Sequence, residues 1–132
     1  MKKLKENAIL TGCILVFIGG AFGGIFRLLL TQIPYIGSSP WMIVAINIVG
    51  SFLLAYLGSR ISEDDEYSLS IKTFVGTGII GGFTTFSTFI LQINELLNKN
   101  YIIAFIYVAL SLLLGYIAVL CGKYLGKRMR NQ

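Results

Sequence analysis

The 132-residue sequence contains no histidine, only two cysteines and only six acidic residues. Without histidine, the chain can form neither an imidazole acid–base pair nor a histidine metal site. The two cysteines, Cys13 and Cys121, lack CxxC spacing and lie in or at the end of apolar stretches, where cysteine acts as a small packing residue. The remaining residues offer no pair of nucleophile and base. We therefore expect that the protein is not an enzyme.

Hydrophobic residues, in contrast, make up 55% of the chain, and the mean hydropathy is +0.78. A bilayer is crossed by about 20 apolar residues in a helix, and four stretches reach about that length. We place these helices near residues 8–30, 41–57, 71–91 and 101–120. The sequence therefore predicts an all-α membrane protein in which residues 1–132 form a single transmembrane domain.

None of these four predicted spans contains an acidic residue, because we place all six in the first residues of the chain or in loops. The loop of residues 59–70 holds an acidic run at 63–66, and residues 94–100 form the last connection. A proton-coupled exporter keeps an ionisable carboxylate at membrane depth. A small multidrug exporter, the nearest alternative of similar size, is therefore disfavoured. A non-conducting structural or assembly subunit, packed through glycines, stays open as a second alternative.

The lysines and arginines are distributed unevenly between the two ends of the spans. The eleven basic residues divide into a larger group beside the termini (Lys2, Lys3, Lys5, Arg60, Lys72, Lys123, Lys127, Arg128 and Arg130) and a smaller opposite group (Lys99, and Arg27 if it extends outward). Positive charge favours the cytoplasmic side, so both termini are predicted to be cytoplasmic in a multi-pass protein of the cell membrane. Charges at span ends also explain the net charge of +5 without a nucleic-acid partner.

Residues 78–89, with the sequence GIIGGFTTFSTF, form the most unusual segment. Glycine next to threonine weakens a helix. Broken backbone is tolerated at membrane depth only where it is buried in protein or lines a wet cavity. We therefore predict that the third helix is broken at its centre, between Gly81 and Thr84, and that the break serves a permeation site or an ion site. Carbonyls freed there either bind a cation such as sodium or are satisfied by a neighbouring helix or by water.

Several polar and aromatic residues at membrane depth allow two interpretations each. The Asn47 amide either makes an interhelical hydrogen bond or offers its donors to a pore. Phe86 and Phe89 share a helix face and either provide packing bulk or present their positive ring edges to an anion. Arg27 either extends to the interface or creates an electropositive vestibule. The hydroxyls of Tyr107 and Ser111, four apart on one face, either form a polar track or bind a neighbouring helix.

Four motifs, in order along almost the whole chain, resemble the Fluc or CrcB family of small fluoride channels. They are GAFGGIFR at residues 20–27, NIVGSF at 47–52, GGFTTFSTF at 81–89, and Tyr107 and Ser111 followed by Gly115. A single motif of this kind would be a weak signal, whereas four with this spacing are a strong one.

This resemblance implies two four-helix subunits packed antiparallel as a dual-topology dimer, with two fluoride pathways that use residues of both chains. It implies a passive route by which fluoride leaves the cell, and so protection against fluoride toxicity. The implied pathway residues are Asn47 as a donor, Phe86 and Phe89 as ring edges, and Thr88, Tyr107 and Ser111 as a hydroxyl track. The carbonyls of Gly81 and Thr84 would bind a structural sodium ion at the dimer centre, which is not transported.

The chain departs from the family pattern in three respects. Gln92 stands where a glutamate is usual, and Met42-Ile43 replaces a usual Gly-Thr. The strong charge bias is also unexpected, because a subunit fixed in one orientation cannot form an antiparallel homodimer. The partner is therefore either a second copy of this chain or an oppositely oriented paralogue, which the charge bias favours. In the second case, we expect one of the two pathways to be incomplete, and Gln92 would mark that side.

Overall fold

The computed structural model describes residues 2–61 and 66–131, without the side chains of residues 2–6. Its elements are α1 (Lys2–Thr31), α2 (Pro40–Arg60), α3 (Glu66–Ile71), a π-helix (Lys72–Ile80), α4 (Gly81–Phe83), α5 (Phe86–Lys99) and α6 (Tyr101–Arg130). Within these described residues, four helical spans are long and apolar enough to cross a membrane: Asn7–Thr31, Pro40–Arg60, Glu66–Lys99 and Tyr101–Arg130. We refer to Glu66–Lys99 as the third span. The predicted all-α fold with four spans is confirmed.

The third span is interrupted, as the sequence predicts, but at Thr84 and Thr85 rather than between Gly81 and Thr84, because Gly81–Phe83 is still helical. Thr84 and Thr85 lie between α4 and α5 with extended backbone, with ψ angles of 156° and 119°. The Thr85 hydroxyl caps α5 by accepting a hydrogen bond from the Thr88 N–H at 3.3 Å. The first half of the span also contains a nine-residue π-helix, which we did not predict. Such helices are rare and often occur near functional sites.

The helices extend further than the apolar stretches that predicted them. The last helix continues to Arg130 rather than to residue 120, and α5 continues to Lys99, so the last connection is Asn100 alone. Helical hydrogen bonding does not stop where apolar residues stop, and the Asn100 side chain caps α6 by accepting from the N–H groups of residues 102 and 103.

Two acidic residues are consequently in helices rather than in loops. Glu66 is the first residue of α3, and Glu95 is an exposed residue of α5, four residues before its end. Our expectation that all six acidic residues lie in loops or at the start of the chain is therefore wrong for these two. The remainder of the acidic run, at 63–65, lies outside the described residues.

Glycines allow the helix backbones to approach closely at two interfaces. A Cβ atom on Gly19 of α1 would lie 2.5 Å from the Phe74 carbonyl oxygen, and one on Gly126 of α6 would lie 2.6 Å from the Tyr56 carbonyl oxygen. The first contact joins α1 to the third span, and the second joins α6 to α2. Small residues at such positions are typical of helix packing in membranes.

The buried core lies between α2, the third span and α6. Ile43, Ile46 and Tyr107 are at most 2% exposed, and Val44, Phe83 and Phe89 complete the cluster. Because Phe83 and Phe89 lie on either side of the interruption, the core holds both halves of the third span against α2.

Candidate functional site

The side chain of Asn47 holds the interruption in place. Its Oδ1 accepts a hydrogen bond from the Thr85 N–H at 2.9 Å, and its Nδ2 donates to the Thr85 carbonyl at 3.0 Å. Asn47 thus provides both partners that the Thr85 backbone would have in a continuous helix, and Thr85 is only 6% exposed. One hydrogen of Nδ2 remains for another acceptor. Asn47 therefore makes an interhelical hydrogen bond, which was the first of our two interpretations. It also keeps one N–H donor, which the second interpretation, a donor that faces a pore, requires.

Two carbonyls lose their usual helical donors at the interruption. The Thr85 N–H, four residues after Gly81, bonds to Asn47, and the Thr88 N–H, four residues after Thr84, bonds to the Thr85 hydroxyl. The Thr84 carbonyl instead accepts from the Arg27 Nη1 at 3.2 Å. Arg27 is half-buried, so its guanidinium is directed into the protein at the interruption and does not simply extend to the interface.

These carbonyls fit the proposed sodium ion in their chemistry. Carbonyl oxygens are hard ligands, and unwound carbonyls hold sodium in other membrane proteins. Among the described residues, the Gly81 oxygen is approached only by the Thr84 hydroxyl, at 3.5 Å. The Thr84 oxygen has a second lone pair beside Arg27. One chain supplies two such oxygens.

The two phenylalanines of the predicted pathway have different surroundings. Phe86 is 73% exposed, whereas Phe89 is 8% exposed. Their ring centroids are 6.2 Å apart with the planes tilted by 39°, and Phe89 stacks on Tyr107 at 5.3 Å. Phe89 is therefore a fixed core ring with a neighbour on one face, while Phe86 is available to another molecule.

The two hydroxyls predicted on α6 also differ. Tyr107 is completely buried, and its hydroxyl donates to Gln92 Oε1 at 2.6 Å, with the Pro40 carbonyl at 3.3 Å. The Ser111 hydroxyl donates to the carbonyl of Tyr107 at 2.6 Å, within its own helix. Tyr107 thus connects α6 to α5 and α2, and Ser111 does not bond to another helix.

A small cluster of hydroxyls surrounds the start of α5. The Thr85 Oγ1 donates to the Thr88 Oγ1 at 3.1 Å and lies 3.3 Å from the Ser87 Oγ. Thr88 therefore accepts a hydrogen bond from Thr85 and keeps its own hydroxyl hydrogen for another partner.

Two cavities open beside the interruption. The first, of about 250 Å³, is lined by residues of α2 and of both halves of the third span, among them Asn47, Ser51, Gly81, Thr84 and Phe86. The second, of about 540 Å³, is lined by residues of α1, the α1–α2 connection, α2 and α5, among them Arg27, Thr88 and Gln92. The structure thus brings Asn47, Phe86 and the two carbonyls to one cavity, and Arg27 and Thr88 to the other. Phe89, Tyr107 and Ser111 line neither.

Sequence reasoning did not identify Thr85 as the backbone group that Asn47 binds, nor Gln92 as the partner of Tyr107. The Thr-Thr pair at the predicted break was the available signal for the first. Nothing in the sequence indicated that Gln92 contacts Tyr107, because residues 15 positions apart on different helices meet only through the packing.

Comparison with known proteins agrees with this architecture. The sequence model of the family described as CrcB-like protein, Camphor Resistance (CrcB), matches residues 14–123. A protein named fluoride-specific ion channel FluC from Bacteroides fragilis is 40% identical, over 89% of this chain and 97% of its own length. Proteins named fluoride-specific ion channel FluC from Parabacteroides distasonis and FluC 1 from Ligilactobacillus salivarius are 39% and 38% identical, over 87% and 85% of this chain and 92% and 96% of their own lengths. The family match and these identities together show that the chain is a multi-pass membrane protein that belongs to the CrcB-like family.

Proposed function

We propose that this chain is a subunit of a fluoride-selective passive ion channel in the cell membrane. The names of its relatives, which are fluoride-specific ion channels, support this activity. Because an ion channel is not an enzyme, these names also agree with our expectation that the chain is not an enzyme. In the proposed role, fluoride that accumulates in the cytoplasm leaves through the channel, which protects the cell from its toxicity.

The observation that carries this proposal is the open cavity at the interruption, where Asn47 keeps a free donor beside the exposed ring of Phe86. Fluoride is small and strongly hydrated, so a pathway must replace its water with donors and positive ring edges. In the proposed pathway Asn47 donates to the ion, and the rings of Phe86 and Phe89 guide it. Thr88, Tyr107 and Ser111 are the proposed hydroxyl track, of which Thr88 has a free hydrogen in this subunit.

The exposed interruption also supports assembly with a second subunit. Gly81, Phe86 and Ser87 are exposed beside carbonyls that lack helical partners, and lipid cannot satisfy such groups. An antiparallel partner that covers this surface would bring two further carbonyls to the proposed structural sodium ion. The charge bias favours a cytoplasmic location for both termini of this chain, and with it an oppositely oriented paralogue over a second copy.

The test is fluoride efflux from liposomes that contain the purified chain alone, followed with a fluoride electrode. The chain is compared with Phe86→Ile and with Phe105→Ile, a control at a ring on α6 that is equally exposed, at 74%. We expect rapid efflux that disappears in Phe86→Ile and persists in Phe105→Ile.

Efflux from the chain alone would establish a self-sufficient antiparallel homodimer and would contradict the paralogue. If the folded chain alone gives no fluoride efflux, it would next be co-purified with an oppositely oriented paralogue. Fluoride efflux from the co-purified pair would then support a heterodimer. Absence of efflux from the pair would favour a non-conducting subunit and contradict the proposed channel.

A further inference from the structure

A third polar cavity lies at the opposite end of α1 from Arg27, between the first turns of α1 and of the third span. It has a volume of about 280 Å³ and is lined by residues between 7 and 15 of α1 and between 66 and 73 of the third span. The two helices touch closely at Gly19 and Phe74, and the cavity lies on the side of this contact where both helices begin. None of the proposed pathway residues lines it.

The hydroxyl groups of this cavity are oriented by their own helices. The hydroxyls of Thr11, Ser70 and Thr73 each donate to the carbonyl four residues earlier, at 2.9 Å. A hydroxyl whose hydrogen is used in this way offers only its lone pairs to a ligand. All three side chains therefore present hydrogen-bond acceptors to the cavity.

Glu66 carries the only formal charge among the described residues that line the cavity. Its side chain is exposed, and an ionised carboxylate is again an acceptor only. The cavity is therefore electronegative and disfavours an anion. A metal ion that needs several strong ligands is also disfavoured, because the described residues contain no group of three or more histidine, cysteine or acidic side chains. The acceptors suit an organic cation with several N–H donors.

The cavity changes from polar to apolar along α1. Asn7 and Glu66 lie at its outer end, next to the charged residues that precede both apolar stretches. Leu15 lies two turns further along α1, about 12 Å deeper at the rise of an α-helix. Gly12 leaves open space between these levels, because a Cβ atom there would meet nothing within 4 Å. A polar mouth above an apolar groove is the shape that a lipid headgroup and its acyl chain require.

We propose that this cavity binds the headgroup of a phospholipid with a primary ammonium group, such as phosphatidylethanolamine. The ammonium donates its three N–H groups to the Glu66 carboxylate and to the hydroxyl oxygens of Thr11 and Ser70. The Asn7 amide, which has donors as well as an acceptor, donates to the lipid phosphate. The bound lipid joins α1 to the start of the third span at the membrane surface. This site does not depend on fluoride conduction.

The test is equilibrium binding of tritiated lipids to the full-length protein in a non-ionic detergent, measured by scintillation proximity. The probes are phosphatidylethanolamine, phosphatidylcholine and phosphatidylglycerol with identical acyl chains. Phosphatidylcholine carries the same charges as phosphatidylethanolamine but has no N–H donor, and phosphatidylglycerol has no ammonium group. Glu66→Gln is compared with Glu95→Gln, which removes the same charge at an exposed residue of α5 that does not line the cavity.

We expect the wild-type chain to bind phosphatidylethanolamine about tenfold more tightly than the other two lipids, because only this lipid makes charge-assisted hydrogen bonds in the cavity. Glu66→Gln should weaken the binding of phosphatidylethanolamine by about fivefold, which is the upper range for an exposed ion pair. Glu95→Gln should stay within about twofold of wild type.

Equal binding of phosphatidylethanolamine and phosphatidylcholine to the wild-type chain would overturn the proposal, and so would wild-type affinity in Glu66→Gln. If sodium chloride displaces phosphatidylethanolamine far more strongly than choline chloride at the same ionic strength, the cavity is a site for a small free cation, and the proposal is also wrong. Gly12→Leu is a second variant, whose side chain enters the cavity without removing a polar group. Unchanged lipid binding in Gly12→Leu would show that the lipid binds elsewhere.

Discussion

Replacing Asn47 with leucine should destabilise the protein, because it leaves both backbone groups of Thr85 without partners. Thr85 is 6% exposed, so water cannot readily replace the hydrogen bonds of 2.9 and 3.0 Å that Asn47 makes to its N–H and carbonyl. Each buried group left unsatisfied costs about 1–3 kcal/mol, whereas hydrogen bonds between membrane helices average only about 0.6 kcal/mol. We therefore expect a loss of about 2 kcal/mol, or roughly thirtyfold in the unfolding equilibrium.

The loss can be measured as the change in unfolding free energy on titration of the micelle-bound protein with sodium dodecyl sulfate, followed by circular dichroism. Asn94→Leu is the matched control, because Asn94 is an exposed residue of α5 and should change the free energy by less than about 0.5 kcal/mol. If Asn47→Leu unfolds together with wild type and Asn94→Leu, then the Asn47 bonds do not hold the interruption, and our account of the break is wrong.

Three further results are expected. Gly19→Ala should lower the unfolding free energy by about 2–3 kcal/mol, because its Cβ would meet backbone of the third span. The control Gly12→Ala should not lower it, because a Cβ at Gly12 meets nothing within 4 Å. Equal stabilities of the two variants in detergent would contradict the close contact between α1 and the third span. Replacing sodium with N-methylglucamine on both sides of the liposomes should abolish fluoride efflux if the Gly81 and Thr84 carbonyls hold the proposed sodium, and undiminished efflux would exclude that role. Labelling of cysteines engineered at the two termini should occur only from the cytoplasmic side of cells; labelling from both sides would show dual topology and remove the argument for a paralogue.

The sequence was sufficient to predict the number of spans and the interruption of the third. Both features depend on local composition: apolar length determines a span, and the Gly-Gly and Thr-Thr pairs of residues 81–85 disfavour a continuous helix. The ends of helices were less predictable, because α6 continues through basic residues to Arg130, beyond the apolar stretch. Charged residues outside the hydrocarbon core can continue a helix, so a hydropathy pattern does not predict where such a helix ends.

The contacts of the candidate site could not be derived from the sequence. The sequence singles out Asn47 as a polar residue at membrane depth, but its partner lies 38 residues away and is determined by the relative position of α2 and the third span. The same applies to Arg27, whose partner Thr84 is 57 residues distant. Which residues meet in such pairs depends on how two helices are positioned against each other at their glycine contacts. That position is a property of the packing and is not encoded in the local sequence.

The two hydrogen bonds between Asn47 and the Thr85 backbone have a consequence for how the protein enters the membrane. The third span carries backbone groups at its interruption that lipid cannot satisfy, and its hydropathy of 1.5 is the lowest of the four spans. Because Asn47 lies on α2, which precedes the third span in the chain, its amide leaves the ribosome before residues 84 and 85. The order of the helices along the chain thus allows the translocon to release the least hydrophobic span next to the side chain that hydrogen-bonds its interrupted backbone. A permuted gene that encoded the third span first would have to insert that segment without its partner.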